Sequence, residues 1–232
     1  MASVLVRDLI TRAQTILQDT TSTRWPVEEL VGWLNDSYRE IILARPDANS
    51  ETGTFTCSEG TRQELAKSDG GFPNALRLLD IVRNVAPTSS KRAIRHIDRQ
   101  ILDDQRRGWH ADTPSVNIEH FMFDSRLPRS FLVYPPAAPT AQLEVVFSSV
   151  PLAHPVEDAE DGSTATIHIV DSYANAMLDY ILYRAYTKDA EYAANAQRAA
   201  NHYQAMATAL GVKTQTDLAV DPKNPGFTTY PK

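Results

Sequence analysis

Apolar residues recur at helical spacing near both ends of the chain and alternate along its middle. Over residues 3–18, Val6, Leu9, Ile10, Ala13, Ile16 and Leu17 fall on one face of a 3.6-residue period, which predicts a helix. The polar stretch QDTTSTR breaks it. A second helix is predicted in WPVEELVGWLNDSYREIILARP, with Val27, Leu30, Leu34, Tyr38 and Ile41 as its buried stripe. Pro26 suits the first turn, where a missing N–H costs nothing. Glu28 and Glu29 favour the positive helix start, and Pro46 ends the run.

Between about 50 and 169 the period shortens to two. GTFTC and TRQEL flank Ser58, Glu59 and Gly60, which predicts a hairpin. LRLLDIVRNV, with its β-branched residues, is a strand candidate for which a helix stays open, and KRAIRHI and SVNIEHFMF are further strand candidates. SFLVYPP and AQLEVVFSSV read as the two arms of a second hairpin around a proline-studded turn. In the last arm Leu143, Val145 and Phe147 face one way and Glu144 and Ser148 the other, the mark of a sheet wet on one side. DRQILDDQRR predicts a short helix capped by Asp98.

From 170 the helical period returns. DSYANAMLDYILYRAYTKD carries Ala174, Met177, Leu178, Ile181, Leu182 and Ala185 on one face, with Asp171 as its cap. In the alanine-rich stretch that follows, Tyr192, Ala196, Ala199, Tyr203, Met206 and Leu210 make a heptad-like seam, and Gly211 is the expected stop. Residues 212–232 hold three prolines and no helical period. They read as a free tail or as an arm that orders on a partner; Phe227 and Tyr230 favour the arm, because an aromatic in a free tail has nothing to bury against. The predicted class is α+β. Helix pairs at 1–49 and 170–211 form an antiparallel bundle, a sandwich or barrel-like β module at 50–169 is inserted between them, and an extended arm spans 212–232.

Composition changes this picture little. The chain has 232 residues, ordinary for a globular protein, and no apolar run near the ~18 residues of a membrane span. Its net charge of −6 argues against a surface that coats nucleic acid generally. Of its 23 basic side chains 17 are arginine, the residue suited to interface ion pairs. Cys57 is the sole cysteine, so no internal disulfide can form; it reads as a small core residue.

Candidate chemistry is sparse. The six histidines show no zinc-type spacing, and phosphate-loop, dinucleotide and nucleophile-elbow patterns are missing from the sequence. No catalytic, cofactor or metal residue is assigned. Glu157, Asp158, Glu160 and Asp161 form the best metal candidate, but a calcium-loop register puts Ala159 and His168 where oxygen ligands belong. The segment holding Lys91, Arg92, Arg95, Arg99, Arg106 and Arg107 is a phosphate-facing patch or an ion-paired surface; Asp98, Asp103 and Asp104 offset it. Trp33 and Trp109 suit core packing or interface anchoring.

Four stretches together resemble the adaptor, or head-completion, proteins of tailed bacteriophages. They are the second helix with Leu34, Asn35, Asp36 and Tyr38; RGWH through TPSVNIEHF; the strand ending in Tyr134, Pro135 and Pro136 with LEVVFSSVPL; and the closing helix pair. The resemblance implies a structural virion protein in a ring, usually of twelve copies. Such a ring sits beneath the portal protein, joins the head to the tail nozzle or tube, helps retain the genome and lets double-stranded DNA pass without specific binding. It implies no enzyme, no cofactor and no membrane. The arm positions Asp221, Pro222, Asn224, Pro225, Phe227 and Tyr230 are the expected portal contacts, and Arg106, Arg107, Trp109 and Tyr134 the expected subunit interface. Three other readings stay open: a tail-tube or nozzle component, a carboxylate-based tail hydrolase, and a helical interaction module unrelated to phage.

Overall fold

A computed structural model describes residues 3–189 and 193–220. Among the described residues are five α-helices, α1 (Val6–Leu17), α2 (Val27–Ala44), α3 (Arg99–Gln105), α4 (Ala174–Lys188) and α5 (Ala193–Val220), and seven strands, β1 (Ser50–Thr56), β2 (Gly60–Glu64), β3 (Ala75–Asn84), β4 (Arg95–His96), β5 (His120–Phe123), β6 (Ser130–Ala137) and β7 (Gln142–Ser149). The chain divides into two compact units, residues 49–150 and the two flanking stretches.

In the helical unit α1, α2, α4 and α5 share one hydrophobic core. Leu9, Leu30, Leu34, Tyr38, Met177 and Ile181 are its innermost side chains. Ile16, expected on the buried stripe of α1, is 45% exposed. The polar break before α2 is built around Asp19, whose carboxylate accepts backbone N–H bonds from Thr23 (3.0 Å), Arg24 (2.8 Å) and Trp25 (2.9 Å). These bonds, the one from Trp25 foremost, hold the Asp19 carboxyl below its usual range.

Asp171 does not cap α4. A 3₁₀ turn over Asp171–Tyr173 precedes that helix, and Tyr173 is its N-cap residue. The Asp171 carboxylate instead accepts from the Ser3 N–H (2.8 Å), the Ser3 hydroxyl (2.6 Å) and the Val4 N–H (3.2 Å), tying down the start of the chain. In α5 the buried stripe is Asn195, Ala199, Met206 and Leu210, while Tyr203 is 48% exposed. Polar residues share this stripe: Asn195 donates to Asp189 (2.7 Å) and His202 meets Asp179 (2.9 Å). An apolar period alone cannot find it. Gly211 does not stop α5, which continues to Val220 and takes up the first part of the expected arm. Asp221, Pro222, Asn224, Pro225, Phe227 and Tyr230 lie outside the described residues.

The inserted unit is two sheets packed face to face. One has the strand order β1-β7-β3 and the other β2-β6-β5-β4. Phe55, Leu143 and Val145 of the first sheet and Phe121, Phe131 and Val133 of the second meet in one core. All pairings are antiparallel except β4 with β5.

Neither expected hairpin forms. β6 already has β2 and β5 on its two sides, and β7 has β1 and β3. Both are interior strands, so residues 138–141 carry the chain from one sheet to the other. Likewise β1 and β2 belong to different sheets, and the turn between them is held by the buried Gln63 side chain. It accepts from Ser58 N–H (2.7 Å) and donates to Ser58 O (2.8 Å) and Gly60 O (3.0 Å). Gly60 fits this corner because its φ is +101°, a value costly for other residues.

Candidate functional site

The Leu34, Asn35, Asp36, Tyr38 motif of α2 is a docking strip for the chain that returns from the inserted unit. Leu34 is fully buried in the helical core. Asn35 holds the backbone of His154 from both sides, donating to its carbonyl (2.9 Å) and accepting from its N–H (2.8 Å). Asp36 pairs with Arg39 at 2.6 Å. The Tyr38 hydroxyl lies 2.9 Å from His154 Nε2 and accepts from the His168 N–H at 2.9 Å.

The protons in this network follow from what each atom can do. Asp158 can only accept, so the 2.6 Å contact puts the His154 proton on Nδ1. Nε2 is then an acceptor, and the Tyr38 hydroxyl donates to it. The chain runs from His168 N–H to Tyr38, to His154, to Asp158, with neutral imidazole throughout. Burial pushes the Tyr38 hydroxyl up to about 12. Burial also lowers the His154 pKa, and the Asp158 hydrogen bond opposes it only in part. The His168 ring stacks on His154 at 4.0 Å between centroids, which further disfavours a cation there.

This constellation has the residue types of a catalytic relay but not the access. The His154 side chain has no exposed surface, and Tyr38 is 1% exposed. Both His154 ring nitrogens and the Tyr38 hydroxyl are used within the unit, and Asp158 is half-buried at the end of the chain. Its chemical role is to fix residues 151–169 on α2. Sequence reading singled out Asn35 and Tyr38 but missed His154 and Asp158 as their partners. Their i, i+4 spacing was the available signal.

Asp158 is thus turned inward, whereas Glu157, Glu160 and Asp161 are exposed. Among the described residues no group of three or more His, Cys, Asp or Glu side chains is arranged to hold a metal ion. Cys57 is 3% exposed, and burial pushes its thiol up to about 12, so it is an inert core residue.

In the inserted unit the segment around α3 folds over the outer face of β5 and β6. The Asp98 carboxylate caps α3 by accepting from Gln100 N–H at 2.9 Å. Trp109 is fully buried in its own chain, against Leu102 and Met122, and donates from Nε1 to Asp103 (3.0 Å). That bond, then Arg99 at 2.9 Å, holds the Asp103 carboxyl below its usual range. Trp109 is therefore no surface anchor; it supports the surface, with Tyr134 edge-on to it at 6.2 Å. Arg106 pairs with Asp112 at 2.8 Å, and both Arg106 and Arg107 are exposed. A cleft of about 750 Å³ opens beside α3, with Met122, Leu132 and Phe131 in its floor and Arg62, Arg99 and Arg126 at its rim. Of the basic segment, Arg99 and Arg106 are ion-paired, to Asp103 and Asp112, and Arg126 across the cleft pairs with Asp124.

The described residues form a helical core joined to a two-sheet insert, and the network of Tyr38, His154 and Asp158 serves the internal cohesion of the helical unit. The SU10 adaptor protein family model matches residues 5–226, and the chain belongs to that family. No curated protein matches it. The chain is a phage structural adaptor, a virion component of a family that associates with portal and tail components and with copies of itself. Among the described residues no helix is long and apolar enough to cross a membrane.

Proposed function

We propose that copies of this chain form a ring, twelve in number, between the portal and the tail nozzle or tube. The ring holds the packaged genome in the head and leaves a channel for its exit. The observation that carries this reading is the family match, which runs through both units and into the C-terminal stretch. Charge supports the channel. The −6 of the subunit resides in the helical unit: residues 49–150 carry 12 basic and 12 acidic side chains, the rest 11 and 17. A negative ring lets a phosphate backbone slide without sticking.

Residues 221–232 form the portal-binding arm of this reading. Arg106 and Arg107 face the next copy from the shoulder that Trp109 and Tyr134 support. Co-sedimentation with the portal of the same genome tests the arm. The full chain pellets with the portal, and the chain lacking 221–232 stays in solution with an unchanged circular dichroism spectrum. Equal binding by the shortened chain overturns the assignment. A role as tail nozzle is the second reading, and binding to a tail component but not to the portal selects it.

A further inference from the structure

Three of the four sheet edges in the inserted unit are blunted, and one is open. The outer edge of β3 has three register shifts and is covered by a bridging segment, with Asn84 N–H donating to Arg92 O and Ile94 N–H to Val82 O, both at 3.1 Å. The outer edge of β2 is interrupted by a bulge between Gly60 and Arg62. β4 is two residues long. β1 has none of these devices: it pairs with β7 in unbroken register over all seven residues and contains no lysine or proline. Natural sheets protect their edges with such features, and an edge without them is a template for another strand.

The polarity of the β1 edge can be read from its end. Cys57 N–H donates inward to Ala141 O (2.8 Å), whereas Thr56 N–H turns away from β7 to Gly70 O (2.8 Å). Antiparallel alternation then sends the backbone groups of 51, 53 and 55 to β7 and those of 50, 52 and 54 outward. Ser50, Thr52 and Thr54 are exposed, and among the described residues their amides make no backbone hydrogen bond to another element. The open stretch is therefore five residues long, 50–54.

The chain carries a segment of matching length outside the described residues. Pro225 and Pro231 bracket Gly226, Phe227, Thr228, Thr229 and Tyr230. Four of these five favour strands, and the prolines, lacking an N–H, confine a ladder to the residues between them. We propose that residues 226–230 of one subunit add as a strand to the open β1 edge of a second copy. A subunit that both gives and receives a strand makes a heterologous contact, the kind that propagates around a closed ring. This inference rests on the ring reading above and narrows it: Phe227 and Tyr230 go to the neighbouring subunit, and residues 221–225 remain for the portal.

The test is disulfide trapping in the full-length chain carrying Thr52→Cys and Thr228→Cys together, assembled on the portal and treated with diamide. Cys57 is buried and stays silent. The expected result is a ladder of covalent multimers beyond the dimer, lost when Thr229→Pro is added. A mixture of the two single-cysteine chains gives cross-linked dimers. Dimers alone from the double variant mean reciprocal exchange and overturn the head-to-tail version. A fast-migrating monomer means a strand within one chain and overturns the second-copy assignment, as does a cross-link to the portal. No cross-link in a complex that light scattering shows to be a full ring overturns this inference and leaves the ring standing.

Discussion

The two units of this chain solve the same problem with different means. The helical unit assembles from both ends of the sequence and closes with a buried polar network. The inserted unit is continuous in sequence, electrically neutral, and held by an apolar sandwich with one edge, that of β1, neither bridged, bulged nor cut short. Closure through Tyr38, His154 and Asp158 demands one geometry, because Tyr38 and His154 are buried and each must meet two partners at once, with the half-buried Asp158 at the end of the chain. The sandwich tolerates more variation inside but must manage its edges. The first unit is thus built to hold shape and the second to present surface.

The largest effect expected is in the inserted unit. Trp109→Ala empties a fully buried site and should cost about 3–5 kcal/mol in urea denaturation. A loss under 1 kcal/mol would show that the α3 segment packs only loosely on β5 and β6. In the helical unit, Tyr38→Phe leaves the His168 N–H and His154 Nε2 without their partner, a loss of about 1–3 kcal/mol. If Tyr38→Phe is neutral, the network is not what closes the unit. Gly53→Ala sharpens the contrast from the sandwich side. A Cβ there would lie 2.6 Å from the Phe72 ring, which stacks on Phe147, so overpacking should cost about 1–3 kcal/mol.

Acid distinguishes the units through His154, which belongs to the helical unit, while depressed carboxyls lie in both. His154 is neutral in the fold and its pKa is depressed, so the unfolded chain takes up its proton first as pH falls. Its contribution is intact above the ordinary value near 6.5 and is lost as pH drops from there through the folded value. His154→Gln should flatten stability against pH in that window. The depressed carboxyls Asp19, Asp103, Asp124 and Asp171 act in a lower window, beginning near 3.8 and extending below it. A wild-type profile as flat as the variant's between pH 7 and 5 would contradict the neutral-histidine assignment. The smallest effect belongs to the surface: Lys188→Gln removes the pair with Glu29 and should change stability by about 0.2–1 kcal/mol, less in high salt.

Much of the fold was legible in the sequence where local pattern decides structure. The faces of α2 and α4, that of α1 except Ile16, the Asp98 cap and the strand character of β6 and β7 follow from local pattern, while for β3 the sequence left helix open. Pairing was not legible. SFLVYPP and AQLEVVFSSV look like hairpin arms because they are adjacent in sequence. Nothing local says that each is already flanked on both sides by other strands. Asp171 reads as a helix cap for the same reason, while its real partners, Ser3 and Val4, lie 168 and 167 residues away. The α5 stripe was legible in part: Ala199, Met206 and Leu210 are buried, Ala196 and Tyr203 are exposed, Tyr192 lies outside the described residues, and Asn195 and His202 join the stripe as hydrogen-bonded polar residues. Of the network, the α2 half was visible as a motif, and the His154 half was hidden in a loop whose acids looked like surface.

The measurement that tests the central claim most directly is light scattering on a sizing column, with the full chain alone and mixed with the portal of the same genome. The account predicts a small species alone and, on the portal, a single large complex whose mass fits twelve added copies. A chain that never co-elutes with the portal, at low salt or high, would contradict it.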